Sequence, residues 1–394
     1  MQSSDRMSPQ ELRAAVSLSS IFGLRMLGMF VILPVFAFYA EGLPGGDNLT
    51  LVGVAIGVYG LTQAILQIPF GWWSDRYGRK PVIYVGLAIF AAGSFIAALG
   101  HHIWIVILGR LLQGAGAIAA PVMAMTADLT REEHRTKAMA MIGSTIGATF
   151  AASLVLSPWL NRVIGVPGIF VMTGVLVLAA MGVVYGLVPD APQHPHRTGA
   201  RATGEFLRAL RDPQLARLNY GIFALHAMLM ALFIAVPFEL RGAGLPVDRH
   251  WQVYLPVMLG SFVLMLPAVL GSGSPERTRA IVPGAVAVLL ANQVLMPWLT
   301  GSVWMIAGFL LVFFTAFNVL EAALPSLVTK AAPGGAKGVA IGVFTSLQFF
   351  GAFAGAAAGG FLYGGWGVPG IVVFDAALLV IWLAFVLHSG QRAL

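Results

Sequence analysis

Asp75, Arg76, Arg79 and Lys80 put one acid and three bases into six residues, inside the turn GWWSDRYGRKP that runs from Gly71 to Pro81. Only 10% of the chain is charged, so the cluster is conspicuous. It has two readings. Lys and Arg are retained on the inner side of any multi-span membrane protein. Alternatively, Gly71, Asp75, Gly78 and Arg79 form a structural latch: Gly71 lacks a side chain where its helix would approach another closely, and Gly78 permits the tight turn. Charge bias accounts for the bases and leaves Asp75 unexplained.

A second set of reactive residues lies within apolar runs. Arg25 and Arg110 are cations deep in such runs, a placement that is costly and functional by default. The competing reading is an Arg that only ties helices together through its hydrogen bonds. Arg does not gain and lose a proton, so proton coupling would need Glu321, Asp375 or His226. Glu321 is preferred. It follows Asn318 by three residues, which places both on one helical face, and burial in a low-dielectric cavity lets a carboxyl cycle its proton near neutral pH. A hydrogen-bonded structural carboxyl is the alternative.

The candidates for substrate contact are Phe30 and Phe36, Gln63 and Gln67 one turn apart, Gln113, Asn219 and His226, Asn292 with Gln293, Asn318, and Gln348. Taken singly, each such residue serves packing more often than a ligand. Together, an apolar and aromatic cavity with scattered amides suits a small lipophilic or amphipathic molecule, cationic ones included. The 16 methionines suggest a different cargo. Met26 with Met29, Met123 with Met125, Met139 with Met141, and His226 with Met230 would suit a copper importer, since thioethers and imidazole bind Cu(I). Methionine also fills irregular packing anywhere, and no cysteine accompanies these residues.

The elements that must position all of these are membrane spans. Of 394 residues, 58% are hydrophobic, and the mean hydropathy is +0.85. A soluble core cannot hide that much apolar surface. Runs of about twenty apolar residues predict twelve transmembrane helices, at about 14 to 40, 50 to 73, 81 to 100, 103 to 127, 138 to 160, 166 to 188, 216 to 240, 251 to 271, 281 to 299, 303 to 328, 339 to 363 and 368 to 388. The fold class is all-α. The N-terminus, MQSSDRMSPQELR, is polar and reads as a short tail, not a cleavable leader. With both termini in the cytoplasm, 18 of the 23 Lys and Arg residues fall on the inner side, 3 on the outer side and 2 within spans. That asymmetry sets the expected orientation.

The longest connection, 189–215, divides the chain into an N-terminal bundle (1–188) and a C-terminal bundle (216–394). PDAPQHPHRTGA reads as flexible linker and TGEFLRALRD as a helix that is either interfacial or solvated. The halves also resemble one another. TREEHRTKAMAMIG from Thr130 aligns with TKAAPGGAKGVAIG from Thr329 after a one-residue adjustment. Transporters commonly bind substrate between such repeats.

Several motifs carry a family resemblance. Gly71-x-x-x-Asp75-Arg76-x-Gly78-Arg79-Lys80, Arg110-Leu-Leu-Gln113-Gly114-Ala-Gly116-Ala117, and Leu27-Gly28 followed by Pro34 resemble the signatures of the major facilitator superfamily, in its twelve-span drug:proton antiporter branch. The resemblance implies a bacterial inner-membrane carrier that works by alternating access, a monomer that exchanges protons for its cargo. It implies that Asp75 lies near the start of span eleven, that Arg79 pairs with Asp128, and that Arg110 takes part in proton coupling. It makes Asp375 a weaker proton site, since span twelve usually lies outside the cavity. Two departures stand out. Arg25 occupies a span where many antiporters of this branch carry an acid. In Gly143-Ser-Thr-Ile-Gly147-Ala148-Thr149, Ala148 replaces the proline of the span-five antiporter signature, although the small residues still allow close packing. A similar member of the branch carries an extra soluble C-terminal domain; ending at Leu394, this chain is expected to lack it.

No nucleophile elbow, phosphate loop, metal-ligand cluster or dinucleotide fingerprint occurs, so neither an enzyme nor a cofactor is expected. No folded basic domain for nucleic acid is present either. The reading is a secondary active transporter in contact with membrane lipid, exporting a small lipophilic compound against protons, with copper or another small solute imported as the alternative.

Overall fold

The computed structural model describes residues 7–190, 212–271, 275–332 and 337–389, and among them helices dominate and no strand forms. A chain with this much apolar surface belongs in hydrocarbon, where only helices and closed barrels satisfy every backbone N–H and C=O. In chain order the helices are α1 (Pro9–Phe30), α2 (Phe36–Glu41), α3 (Leu49–Tyr77), α4 (Arg79–Ala98), α5 (Ile103–Ala115), α6 (Ala119–Asp128), α7 (Glu132–Gly186), α8 (Pro213–Gly242), α9 (Trp251–Gly271), α10 (Pro275–Leu299), α11 (Val303–Ala331), α12 (Lys337–Trp366) and α13 (Val368–Ser389). Among the described residues, 11 helical stretches are long and apolar enough to cross a membrane. One of them, the 55-residue α7, holds two of the twelve expected spans. Gly165 adopts φ 66 there, a left-handed angle that breaks the helix without a connecting loop.

Two expected spans are not continuous. Span one stops at Phe30 and resumes at Phe36. Pro34 has no N–H to donate, and the chain bridges the gap with tighter bonds from Leu33 to Phe30 O and from Val35 to Ile32 O, both 3.1 Å. Span four breaks after Ala115, where Gly116 turns to ψ 56, and resumes at Ala119. The TGEFLRALRD helix falls outside the described residues.

The chain forms two compact units, Met1–Tyr39 with Leu61–His196, and Ala40–Gly60 with Arg197–Leu394. The expected division falls in the long connection. In addition, the first part of α3 clusters with the second unit.

In the first unit α1 packs on α7, and α4 on α5 and α7. A capping box starts α1: Glu11 N donates to Ser8 Oγ at 3.2 Å and Ser8 N to Glu11 Oε2 at 2.7 Å. The same carboxylate accepts from Arg131 Nε at 3.0 Å and Nη2 at 3.1 Å. It thereby ties α1 to the connection before α7 and holds the Arg131 guanidinium above its ordinary value.

In the second unit α8 packs on α12, α9 on α11, and α10 on α11 and α13. The GAFAGAAAGG run of α12 explains how closely these helices lie. A Cβ added at Gly351, Gly355 or Gly359 would stand 2.2 Å from Phe223 O, 1.9 Å from Ala227 O and 2.8 Å from Ala231 Cα of α8. Along α3, Gly53, Gly57 and Gly60 meet Ala356, Phe353 and Phe349 of α12 in the same way. Small residues let two backbones approach where lipid supplies no hydrophobic drive for association.

Candidate functional site

The Gly71–Pro81 turn is built around Arg79. Gly78 takes φ 94 and caps α4, so the chain reverses between Tyr77 and Arg79 at a position that only glycine occupies without strain. The reversal brings the Arg79 guanidinium to three acceptors. Nε donates to Asp128 Oδ2 at 2.9 Å and Nη1 to Ser74 Oγ at 2.8 Å; Nη1 also pairs with Asp75 Oδ1. Ser74 donates in turn to Gly71 O at 2.9 Å. The Asp75 side chain is 62% exposed and those of Arg79 and Asp128 below 20%. Arg76 lies over Trp72 and Tyr77, and Lys80 Nζ pairs with Asp190 Oδ1 at 2.7 Å. Gly71 is less constrained than expected: a methyl there would reach Ala120 Cβ at 3.4 Å, an ordinary contact. The expected partner of Asp75, the start of span eleven, adjoins residues 333–336, which are not described.

Both span cations lie in the first unit and are fully buried, at 0% exposure. Arg25 Nε donates to Gly116 O at 3.0 Å, and Nη2 donates to Gln63 Oε1. Gln63 passes the chain on to Gln67 Oε1 at 3.1 Å. Arg110 Nη1 donates to Gly28 O at 3.1 Å and to Gln113 Oε1 at 2.8 Å, and Gln113 Nε2 to Ser94 Oγ at 2.7 Å. Two interruptions of regular helix therefore serve the cations. The break of span four turns the Gly116 carbonyl to Arg25, and Gly28 lies just before the break of span one. Phe90 stands beside Arg25, 5.9 Å from its guanidinium carbon. Neither the Gly116 carbonyl nor Ser94 was legible as a partner. The Gly-Ala-Gly run after Gln113 was the sole signal for the first.

The second unit assembles His226 (α8), Glu321 (α11) and Gln348 (α12) on three different helices. His226 Nδ1 lies 3.2 Å from Ile222 O, which can only accept, so Nδ1 carries the hydrogen and Nε2 is the acceptor. Gln348 Nε2 donates to that His226 Nε2 at 2.8 Å and to Glu321 Oε1 at 3.2 Å. The amide thus bridges imidazole and carboxylate. Glu321 Oε2 is buried without a hydrogen-bond partner and faces His226 Nε2 at 3.9 Å. Asn318, on the same face of α11, donates to Ser261 Oγ at 3.1 Å.

Residues 18–356 match the Major Facilitator Superfamily. The chain belongs to that family. Over 379 residues this superfamily chain is 43% identical to the inner membrane transport protein YajR of Escherichia coli K12, covering 96% of this chain and 83% of YajR. It is 25% identical over 379 residues to the multidrug resistance protein MdtH of Cronobacter sakazakii, covering 91% of each. Among solved structures, the human organic anion transporter MFSD10 superposes with a TM-score of 0.74 at 18% identity, covering 96% of this chain and 100% of the other. The superfamily fold of the chain is that of an all-α membrane transporter.

Other candidates of this superfamily chain are spent on neighbouring helices. Asn292 donates to Phe309 O at 3.2 Å, and Gln293 Nε2 to Asp375 Oδ2 at 2.5 Å. Phe36 is fully buried against Tyr39, and Phe30 stands edge-on to Phe150 at 5.0 Å. Asn219 is 4% exposed, and its Oδ1 has no hydrogen-bond partner. Met26, Met29, Met125 and Met230 are all buried core residues. Gly143 and Gly147, expected to serve close packing, have nothing within 4 Å of an added Cβ.

Proposed function

We propose that this major facilitator transporter is a proton-coupled exporter of small lipophilic or amphipathic compounds and that the His226–Gln348–Glu321 cluster is its proton site. One observation carries the reading: a single amide, Gln348 Nε2, donates to both the imidazole and the carboxylate. That arrangement suits neutral His226 beside ionised Glu321. When a proton arrives on Glu321 or on His226 Nε2, one of the two amide bonds loses its acceptor. The Gln348 amide must then turn its oxygen toward the new donor, and protonated His226 can close the 3.9 Å gap to Glu321 Oε2. A proton is thereby converted into a rearrangement among α8, α11 and α12, and α8 and α12 pack so closely through glycines that they tolerate little independent movement.

Arg25 and Arg110 cannot carry the transported proton. Their role in this reading is to hold the discontinuous spans one and four in register through the Gly116 and Gly28 carbonyls, and to keep fixed positive charge near the path of the cargo. The Arg79–Asp128 pair anchors the Gly71–Pro81 turn on α6 and leaves Asp75 exposed as the group that engages a partner in a gate on the expected cytoplasmic side. Within the first unit, the amides of Gln63, Gln67 and Gln113 would border the path of an uncharged or cationic lipophile. MdtH, by its name a multidrug resistance protein, gives the efflux direction its support.

The test is a proton-flux screen of a compound library in proteoliposomes of the full chain, repeated with Glu321→Gln and Arg110→Ala. Substrate-dependent proton movement in the wild type and its loss in Glu321→Gln are expected. Proton flux that survives in Glu321→Gln removes the assignment of the proton site, and copper accumulation in expressing cells would replace export by import.

A further inference from the structure

A fully buried carboxyl in the same unit is built in a different way from Glu321, whose side chain is 36% exposed. Asp375 of α13 and Gln293 of α10 are both at 0% exposure. They face each other from largely apolar stripes: Ile371, Asp375, Leu379 and Trp382 are among the buried residues of one, and Val286, Leu289, Gln293 and Met296 among those of the other. Gln293 Nε2 donates to Asp375 Oδ2. The remaining oxygen of each side chain, Asp375 Oδ1 and Gln293 Oε1, is buried and has no hydrogen-bond partner.

Ionised Asp375 would hold one amide hydrogen bond and leave its second oxygen bare in a dry seam. The cost of desolvating an anion far exceeds what one amide donor returns. The bare Gln293 oxygen adds a second penalty, and the negative ends of the two bare oxygens would repel each other. A single hydrogen removes both defects. Bound to Asp375 Oδ1, it is donated to Gln293 Oε1, and acid and amide then each donate once and accept once. Among the described residues, five titratable side chains on the helices packed against α13 are bound elsewhere. Tyr220 donates to Leu378 O at 3.0 Å. Glu239 accepts from Tyr363 at 2.8 Å, Arg241 forks onto Glu41, and His226 belongs to the Gln348 cluster. Arg217 lies in the first turns of α8, and His388 at the far end of α13.

We propose that Asp375 is a resident proton-binding site, a neutral carboxylic acid that closes a two-bond acid–amide clasp with Gln293 between α10 and α13. The proton enters from solvent, and its only effect on bonding is to convert a carboxylate oxygen into an O–H donor. The clasp does not depend on the transport reading above. It does bear on it, because an acid that keeps its proton leaves Glu321 as the one of these two carboxyls that can cycle.

Infrared spectroscopy of the full chain in lipid tests this, in the Glu321→Gln background so that the carboxyl of the His226–Gln348 cluster contributes nothing. A protonated-carboxyl carbonyl band is expected at neutral and mildly alkaline pH, and Asp375→Asn should abolish it. Thermal unfolding supplies the second arm. Asp375→Asn, which keeps a donor and an acceptor, and the double Asp375→Leu, Gln293→Leu variant should unfold near the wild-type midpoint. Gln293→Leu alone strands the acid and should lower the midpoint by several degrees. A spectrum in which Asp375→Asn removes no protonated-carboxyl band overturns the proposal. So does a midpoint raised by sodium or potassium in the parent and not in Asp375→Asn, which would make the occupant a metal cation.

Discussion

Gln348 donates its amide N–H to Nε2 of His226 across 2.8 Å, joining α12 to α8 at the point where Glu321 of α11 also arrives. The two hydrogens of one nitrogen therefore report on the protonation of two groups. Replacing Gln348 by Leu removes the bridge and keeps the volume roughly constant. The expected outcome is a proton-driven flux reduced by about tenfold, equivalent to about 1.4 kcal/mol, with substrate counterflow retained. Flux in proteoliposomes with and without an imposed pH gradient measures both. Equal losses in the two assays would mean that Gln348 serves the cargo and not the proton.

The bond from Arg79 Nε to Asp128 Oδ2 joins the start of α4 to the end of α6, and both side chains are mostly buried. A charge-assisted bond in that setting is stronger than an exposed pair, about 1 to 3 kcal/mol. Asp128→Asn and Arg79→Gln should each lower the thermal midpoint, and the double variant should fall no further than the worse single one. A double-mutant cycle by unfolding in detergent reads the coupling. Asp75→Asn, at a 62% exposed side chain, should leave the midpoint unchanged and impair transport.

Glycines on α12 and in the α7 span should respond in opposite ways. Gly355→Ala places a methyl 1.9 Å from Ala227 O, which forces α8 and α12 apart; overpacking of this kind costs about 1 to 3 kcal/mol. Gly143→Ala and Gly147→Ala meet open space, and in mid-helix they should be neutral or stabilising by up to about 1 kcal/mol. Thermal midpoints of the three purified variants decide this, and a stable Gly355→Ala would show that the α8–α12 seam can relax.

Much of this was legible because it is local. Apolar runs of span length report where hydrocarbon must be met, and a spacing such as Gly71-x-x-x-Asp75-Arg76-x-Gly78-Arg79 reports a turn, since Gly78 alone can take φ 94 there. Arg25, Arg110 and Glu321 were conspicuous as charges in apolar surroundings. Their partners were harder to read. Pro34 and Gly116 were conspicuous only as motif residues, and nothing in the residue order says that a carbonyl at 116 faces a guanidinium at 25, 91 positions away. Gln293 was read among possible cargo contacts, although its amide is bound to Asp375.

By itself the sequence determined the helical membrane fold, the motif turn and the identities of the buried charges, because these follow from hydropathy, glycine stereochemistry and the cost of charge in hydrocarbon. Only the tertiary structure decided which polar groups meet. Hydrogen bonds between helices depend on the rotation and axial offset of packed cylinders, and those are set by the glycine contacts of α12 and the breaks in spans one and four. That packing gave Glu321 a histidine and a bridging amide, and gave Asp375 a single amide in a dry seam.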